Sequence, residues 1–171
     1  MQAIRSLEGV AQAEPGYSAD VMVERDGNQK VLHVSSILDS MNQYTVEEGR
    51  MPKKDGECLI DQDFIQGSGL KVGDEITLIS GTKDPVTDTF TKETFRIVGA
   101  GSSPEYISFH RGSSMIGNGE VSGFLAVPKE SFVTEAYTEC YVSVEGAEEE
   151  TAFTEEYDQK VEKVAERIES I

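Results

Sequence analysis

The sequence predicts an α+β fold: a mixed or antiparallel sheet and a long C-terminal helix, with two small lobes sharing strands as a permitted variant. Three observations carry this. "YSADVMVERDGNQKVLHVSSI" alternates apolar and polar residues on both sides of Asp26-Gly27-Asn28. Short apolar runs ("ECLI", "EITLIS", "TFRIVGAGSS", "VSGFLAVP", "YTECYVSVEGA") recur between Gly, Pro and Asp punctuation. Tyr157, Val161, Val164, Ile168 and Ile171 then follow one another at spacings of 4, 3, 4 and 3. Period two marks strands with one buried face, and the longer period marks an amphipathic helix.

Taken in order, Ile4, Leu7 and Val10 in "QAIRSLEGV" read as the end of a helix running into a strand, as if the chain continued upstream. Val21 and Val23 are answered by Val31, Leu32 and Val34 across a turn that tolerates positive φ, which predicts a β-hairpin. Gly49 and Pro52 punctuate a loop before the strand "ECLI", and Asp61 is placed to cap a one-turn helix, "QDFIQ", that Gly67 or Gly69 ends. "LKVGDEITLIS" sets a Gly-Asp turn ahead of a strand from Glu75 to Ser80. The polar run "GTKDPVTDTFTKE" is expected to be a mobile hairpin loop. "TFRIVGAGSS", apolar on both sides of Val98, predicts a buried strand; Pro128 stops the next one, before a helical turn at "KESFV". The last strand puts Cys140, Val142 and Val144 on one face, and a helix is expected from about Thr154 to Ile171.

Composition narrows the function. The 171 residues carry 32 acidic and 15 basic side chains, a net charge of −17. Such a surface repels phosphate backbones and anionic headgroups, so nucleic acid is not an expected partner. No apolar run is long enough to span a membrane, and the first residues lack the apolar core of a signal peptide. The two cysteines, Cys58 and Cys140, lack metal or redox spacing and are expected to be buried thiols; a bond between them stays open.

The stretch that looks most like an active site is "HRGSSMIGNGE", His110 to Glu120. Gly112 and Gly117 keep the glycine spacing of a phosphate loop, yet Asn118 stands where the Lys belongs, and the segment runs into a strand rather than a helix. Ser113 and Ser114 lie near His110 without the Gly-x-Ser-x-Gly turn of a nucleophile elbow. Asp61-Gln62-Asp63 lacks the rest of a calcium loop, and helix capping explains Asp61. What remains is an interaction surface, for which Tyr106, Phe109, His110 and Arg111 are the candidate residues, since rigid rings and guanidinium groups anchor interfaces. The rival is that Tyr106, Ile107 and Phe109 cover a sheet edge. No catalytic, cofactor or metal residue is assigned.

The ordered series "EEGRMPKKDGECLIDQDFIQGSGLKVGDEITLIS", "FRIVGAG", "SPEYISFHRGSSMIGNGEVSGFLAVP", "YTECYVSVEGA" and a long acidic helix resembles the MacB-like periplasmic core domain. That domain is the extracytoplasmic insert of FtsX-like ABC transporter permeases, and this version resembles those of Gram-positive bacteria. The resemblance implies one ectodomain over residues 1–171, with an inserted lobe at about 45–130, on the extracellular face of the cell membrane. Residues 1–9 would then be the tail of one membrane helix, and the helix from Thr154 would lead into the next. It also implies a non-enzymatic role, transmitting ATP-driven motion and contacting substrate or a partner protein. The implied partners are the membrane helices of the permease, a cytoplasmic ATPase subunit or domain, and a second permease copy. A stand-alone extracellular module that binds a protein or peptide is the alternative. A small secreted hydrolase would require His110 in a cleft beside a serine and an acid.

Overall fold

The two sequence periods become nine strands and three helices in the computed structural model, which describes all of residues 1–171. In chain order these are α1 (Gln2–Arg5), β1 (Val10–Gly16), β2 (Ser18–Arg25), β3 (Asn28–Ser36), β4 (Thr45–Gly49), β5 (Glu57–Asp61), α2 (Gln62–Ser68), β6 (Glu75–Thr77), β7 (Thr94–Ser102), β8 (Val121–Val127), β9 (Glu139–Val144) and α3 (Glu155–Glu169). The chain divides into two units, one of Gly16–Thr138 and one of Met1–Pro15 with Glu139–Ile171.

In the larger unit, the predicted hairpin forms through Asp26 and Gly27, at φ 52° and 75°, the conformation a two-residue turn between twisted strands requires. Its register sets Val21 opposite Leu32 and Met22 opposite Val31. The sheet is mixed, ordered β2-β3-β8-β5-β7-β4, with β6 also on β7. β3 runs parallel to β8 and β5 parallel to β7, while β5 and β8 are antiparallel. One edge of β7 serves two short strands: β4 pairs its C-terminal part and β6 its N-terminal part. Just after β6, Ile79 exchanges backbone hydrogen bonds of 2.7 and 2.8 Å with Met22 of β2. That bridge links the far strand of the sheet to the β7 side, so the strands close into a ring at one point. The ring encloses the main core, which includes Val23, Leu32, Ile60, Phe95, Ile97 and Leu125.

Close backbone approach explains the glycines around "EEGR". A Cβ on Gly49 would lie 2.3 Å from the Val98 carbonyl oxygen, and one on Gly99 would lie 2.3 Å from that of Arg50. Gly49 also has φ 74°, which side chains disfavour. The turn delivers Arg50 to Glu57 at the start of β5, where Nη1 and Nη2 donate to the two carboxylate oxygens at 2.9 and 2.7 Å, and the Lys53 amide adds a third bond of 2.9 Å. These donors, Arg50 first, hold the buried Glu57 carboxyl at about 2, below its ordinary 4.5.

The segment 81–93, expected to be a mobile hairpin loop, instead supplies core. Its polar residues hide Val86 and Phe90, and Phe90 is 1% exposed. The Phe90 ring lies 4.8 Å from that of Phe132 and 6.2 Å from that of Phe95. A turn of 3-10 helix at Val86–Asp88 and backbone bonds from Thr91 to Ser131 and from Val133 to Thr89 hold it there. Two apolar residues in thirteen give no periodicity, so the sequence pattern missed them.

In the smaller unit β1 and β9 pair, and Val10, Ala13 and Val164 of α3 are buried with Ile4, Leu7, Val142, Val144 and Ile168 packed around them. The helix-to-strand start and the C-terminal helix stand as read from the sequence; Thr154 caps α3 by accepting from the Tyr157 amide. Cys140 departs from expectation. It shares the strand face of Val142 and Val144 by alternation but is exposed near the start of β9, whereas Cys58 is fully buried; both thiols are free. Burial pushes the Cys58 thiol far up.

Two measurements follow from this packing. Phe90→Ala should cost about 3–5 kcal/mol in urea unfolding, the usual range for an emptied aromatic site; a loss under about 1 kcal/mol would remove the segment from the core. Glu57 has a depressed folded pKa, so its stabilisation is complete above the ordinary value of 4.5 and is lost as the pH falls toward about 2. The gap in melting midpoint between the wild type and Glu57→Gln should therefore be wide at about pH 7 and narrow at about pH 2.5.

Candidate functional site

Strand β5 ends with Asp61, which is 1% exposed, and a carboxylate there needs donors. One is local: Asp61 Oδ1 accepts from the Asp63 amide at 3.0 Å, the cap that starts α2, and Gly69 at φ 73° ends the helix as expected. The others come from the loop between β7 and β8. Arg111 Nε donates to Asp61 Oδ2 at 2.7 Å and Nη2 to Oδ1 at 3.2 Å, while Nη2 also reaches Asp63 Oδ2 at 2.8 Å. The Arg111 side chain is only 9% exposed, so this is a buried, bidentate pair. Its Nη1 donates back to the Ser108 carbonyl and closes the loop on itself.

Aromatic packing holds the same loop. Tyr106 stacks on Phe124 of β8 with centroids 5.6 Å apart and planes 16° apart, and the Arg111 guanidinium lies 5.2 Å from the Tyr106 ring centre. Tyr44 meets the same Phe124 at 5.6 Å. Burial, with Glu105 beside it, pushes the Tyr106 phenol up to about 12, so it stays protonated.

Farther along, Ser114 Oγ donates to Asp20 Oδ2, whose other oxygen lies 2.7 Å from His33 Nδ1. His33 and Asp20 are directly opposite in the hairpin. Serine, acid and histidine thus meet, but with the carboxylate between hydroxyl and imidazole. A hydrolytic relay needs the imidazole to receive the serine proton, and here the carboxylate accepts that hydrogen bond. His110 is exposed on the loop and is not the histidine of this cluster.

Of the four candidate interaction residues, the structure gathers Tyr106 and Arg111 at the base of the loop, turned onto the sheet and α2, and leaves Phe109 and His110 in solvent. The rival reading of a covered sheet edge fails: Tyr106 packs on Phe124 of β8, a strand with neighbours on both sides, and Ile107 and Phe109 are 88% and 90% exposed. Sequence reading missed Met115, which is 100% exposed, and the Asp61–Arg111 pair. An isolated Met between Ser and Ile carries no pattern, and the ion pair joins residues with a sequence separation of 50.

The buried pair gives a direct test. Arg111→Ala leaves the Asp61 charge inside without its partner and should cost about 3–5 kcal/mol, read by chemical unfolding. Asp61→Asn with Arg111→Met removes both charges and should recover most of that loss; a double variant that loses as much as Asp61→Asn and Arg111→Met added together would mean the pair is not coupled.

No family model matches the sequence, and no curated protein matches it. Solved structures do. The extracellular domain of the noncanonic ABC-type transporter YknZ from Gram-positive bacteria matches 86% of this chain and 72% of its own, at 13% identity and a TM-score of 0.51. The periplasmic region of MacB from Actinobacillus actinomycetemcomitans matches 99% of this chain and 71% of its own, at 10% identity and a TM-score of 0.50. Identities this low speak for the backbone alone, and on that evidence the chain has the fold of the MacB-like periplasmic core domain.

Proposed function

We propose that the chain is the non-catalytic extracellular domain of an ABC transporter permease, passing ATP-driven conformational change across the membrane to a substrate or partner protein. The observation that carries the reading is the likeness of fold to two transporter ectodomains over most of the chain. Two features of the molecule agree with it. Both ends of the chain belong to one unit, where Arg167 of α3 donates to the Glu8 carbonyl, as suits an insert entered and left at one membrane face. No helix is long and apolar enough to cross a membrane itself. In this reading residues 1–171 form one ectodomain, and the membrane helices of the permease, a cytoplasmic ATPase and a second permease copy are its partners.

Motion would reach Gly16–Thr138 through two chain crossings, at Pro15–Gly16 and Thr138–Glu139. On the larger unit's side these are tied together, since the Thr138 amide donates to the Gly16 carbonyl at 3.1 Å and the Ser18 amide to Thr138 Oγ1 at 2.6 Å. The two strands therefore act as one link rather than as independent tethers.

The exposed thiol of Cys140 provides the test, because Cys58 is inaccessible. In intact cells making the full-length protein, a membrane-impermeant maleimide should label Cys140, with Cys140→Ser as the control. Labelling only after lysis would overturn the extracellular placement. The gene should also encode an apolar run of about 20 residues on each side of this chain; their absence would favour a stand-alone binding module.

A further inference from the structure

The three most exposed large hydrophobic side chains of the chain, Ile107, Phe109 and Met115, at 88%, 90% and 100%, all lie on the loop joining β7 to β8. Isolated exposed apolar residues are ordinary, whereas several presented by one ordered segment mark a contact surface. This segment is ordered by what lies beneath it. Arg111 is clamped by Asp61 and Asp63, Tyr106 is stacked on Phe124, and Ser114 is bonded to Asp20. Ile116 sits against Gly81, whose absent Cβ would come within 2.4 Å of it. Ser113 and Glu120 bridge, and the Ser114 amide donates to the Gly119 carbonyl.

Pinned at both ends, the loop cannot fold its apolar residues inward, and much of the entropy cost of presenting them is met during folding rather than on binding. Charge then selects the occupant. The base of the loop carries the carboxylates of Asp20, Asp61, Asp63 and Glu105 against one guanidinium, Arg111, and the whole chain has a net charge of −17. Like charge disfavours an acidic protein, an anionic bilayer and a second copy of this chain.

We propose that this loop is a docking prong, its Ile107, Phe109 and Met115 entering an apolar pocket of a different protein whose rim carries Lys and Arg. The inference stands on the loop's own geometry, whether or not the chain belongs to a permease. It also changes the role of the arginine: Arg111 positions the prong, and the aliphatic and phenyl groups make the contact.

The test uses the full-length protein in its own cells, with p-benzoylphenylalanine in place of Phe109 and, as background, in place of the exposed Lys83. The expected result is a photocross-link from position 109 to one other polypeptide, mapped to apolar residues bordered by Lys or Arg. Adding Ile107→Ser and Met115→Ser should cut its yield roughly tenfold while the melting midpoint stays put. Each other result overturns the proposal: a link to lipid makes the loop a membrane anchor, and a link to a second copy makes it a self-association surface. A link to an acidic or polar site, a yield indifferent to the serine substitutions, or a yield no higher than from position 83 leaves no prong.

Discussion

Asp61 ends the central strand β5 with its carboxylate inside the protein, and everything around the loop between β7 and β8 is arranged to answer that charge. A buried carboxylate without donors costs several kcal/mol. The Asp63 amide supplies one bond and so starts α2, and Arg111 supplies two and so draws the loop down onto the sheet. With Arg111 held, Tyr106 is held, because the guanidinium lies over its ring and the ring stacks on Phe124. A strand end, a helix start and a surface loop thus share one electrostatic constraint.

The ring of strands provides the stiffness behind that constraint. β7 pairs with β5 on one side and with β4 and β6 on the other, and glycines at positions 49, 99 and 101 let the β4 and β7 backbones approach more closely than side chains permit. The Met22–Ile79 bridge then joins β2 to the residue just past β6. Phe90, brought by a segment that is otherwise polar, packs against Phe132 in the same core.

Charge and apolar exposure work in opposite directions on this molecule. The acidic surface repels molecules of like charge, while the docking we propose would rest on a few bare hydrophobic groups of one loop. That combination favours a selective partner over a sticky surface, since an approaching molecule must match both the shape and the sign of charge.

Local rules account for what the sequence by itself determined. Period-two alternation and an Asp-Gly turn specify the β2–β3 hairpin, Asp61 and Thr154 specify helix starts, and the apolar stripe from Tyr157 specifies α3, because each depends on residues within a few positions of one another. The order of short strands was also legible, and with it the family resemblance. Only the tertiary structure decided which strands neighbour which, that Phe90 is core rather than loop, that Cys140 is exposed, and that Arg111 faces Asp61 while Phe109 faces water. These depend on pairings between residues far apart in the chain, for which sequence spacing holds no signal; burial and charge satisfaction settle them after the strands have assembled.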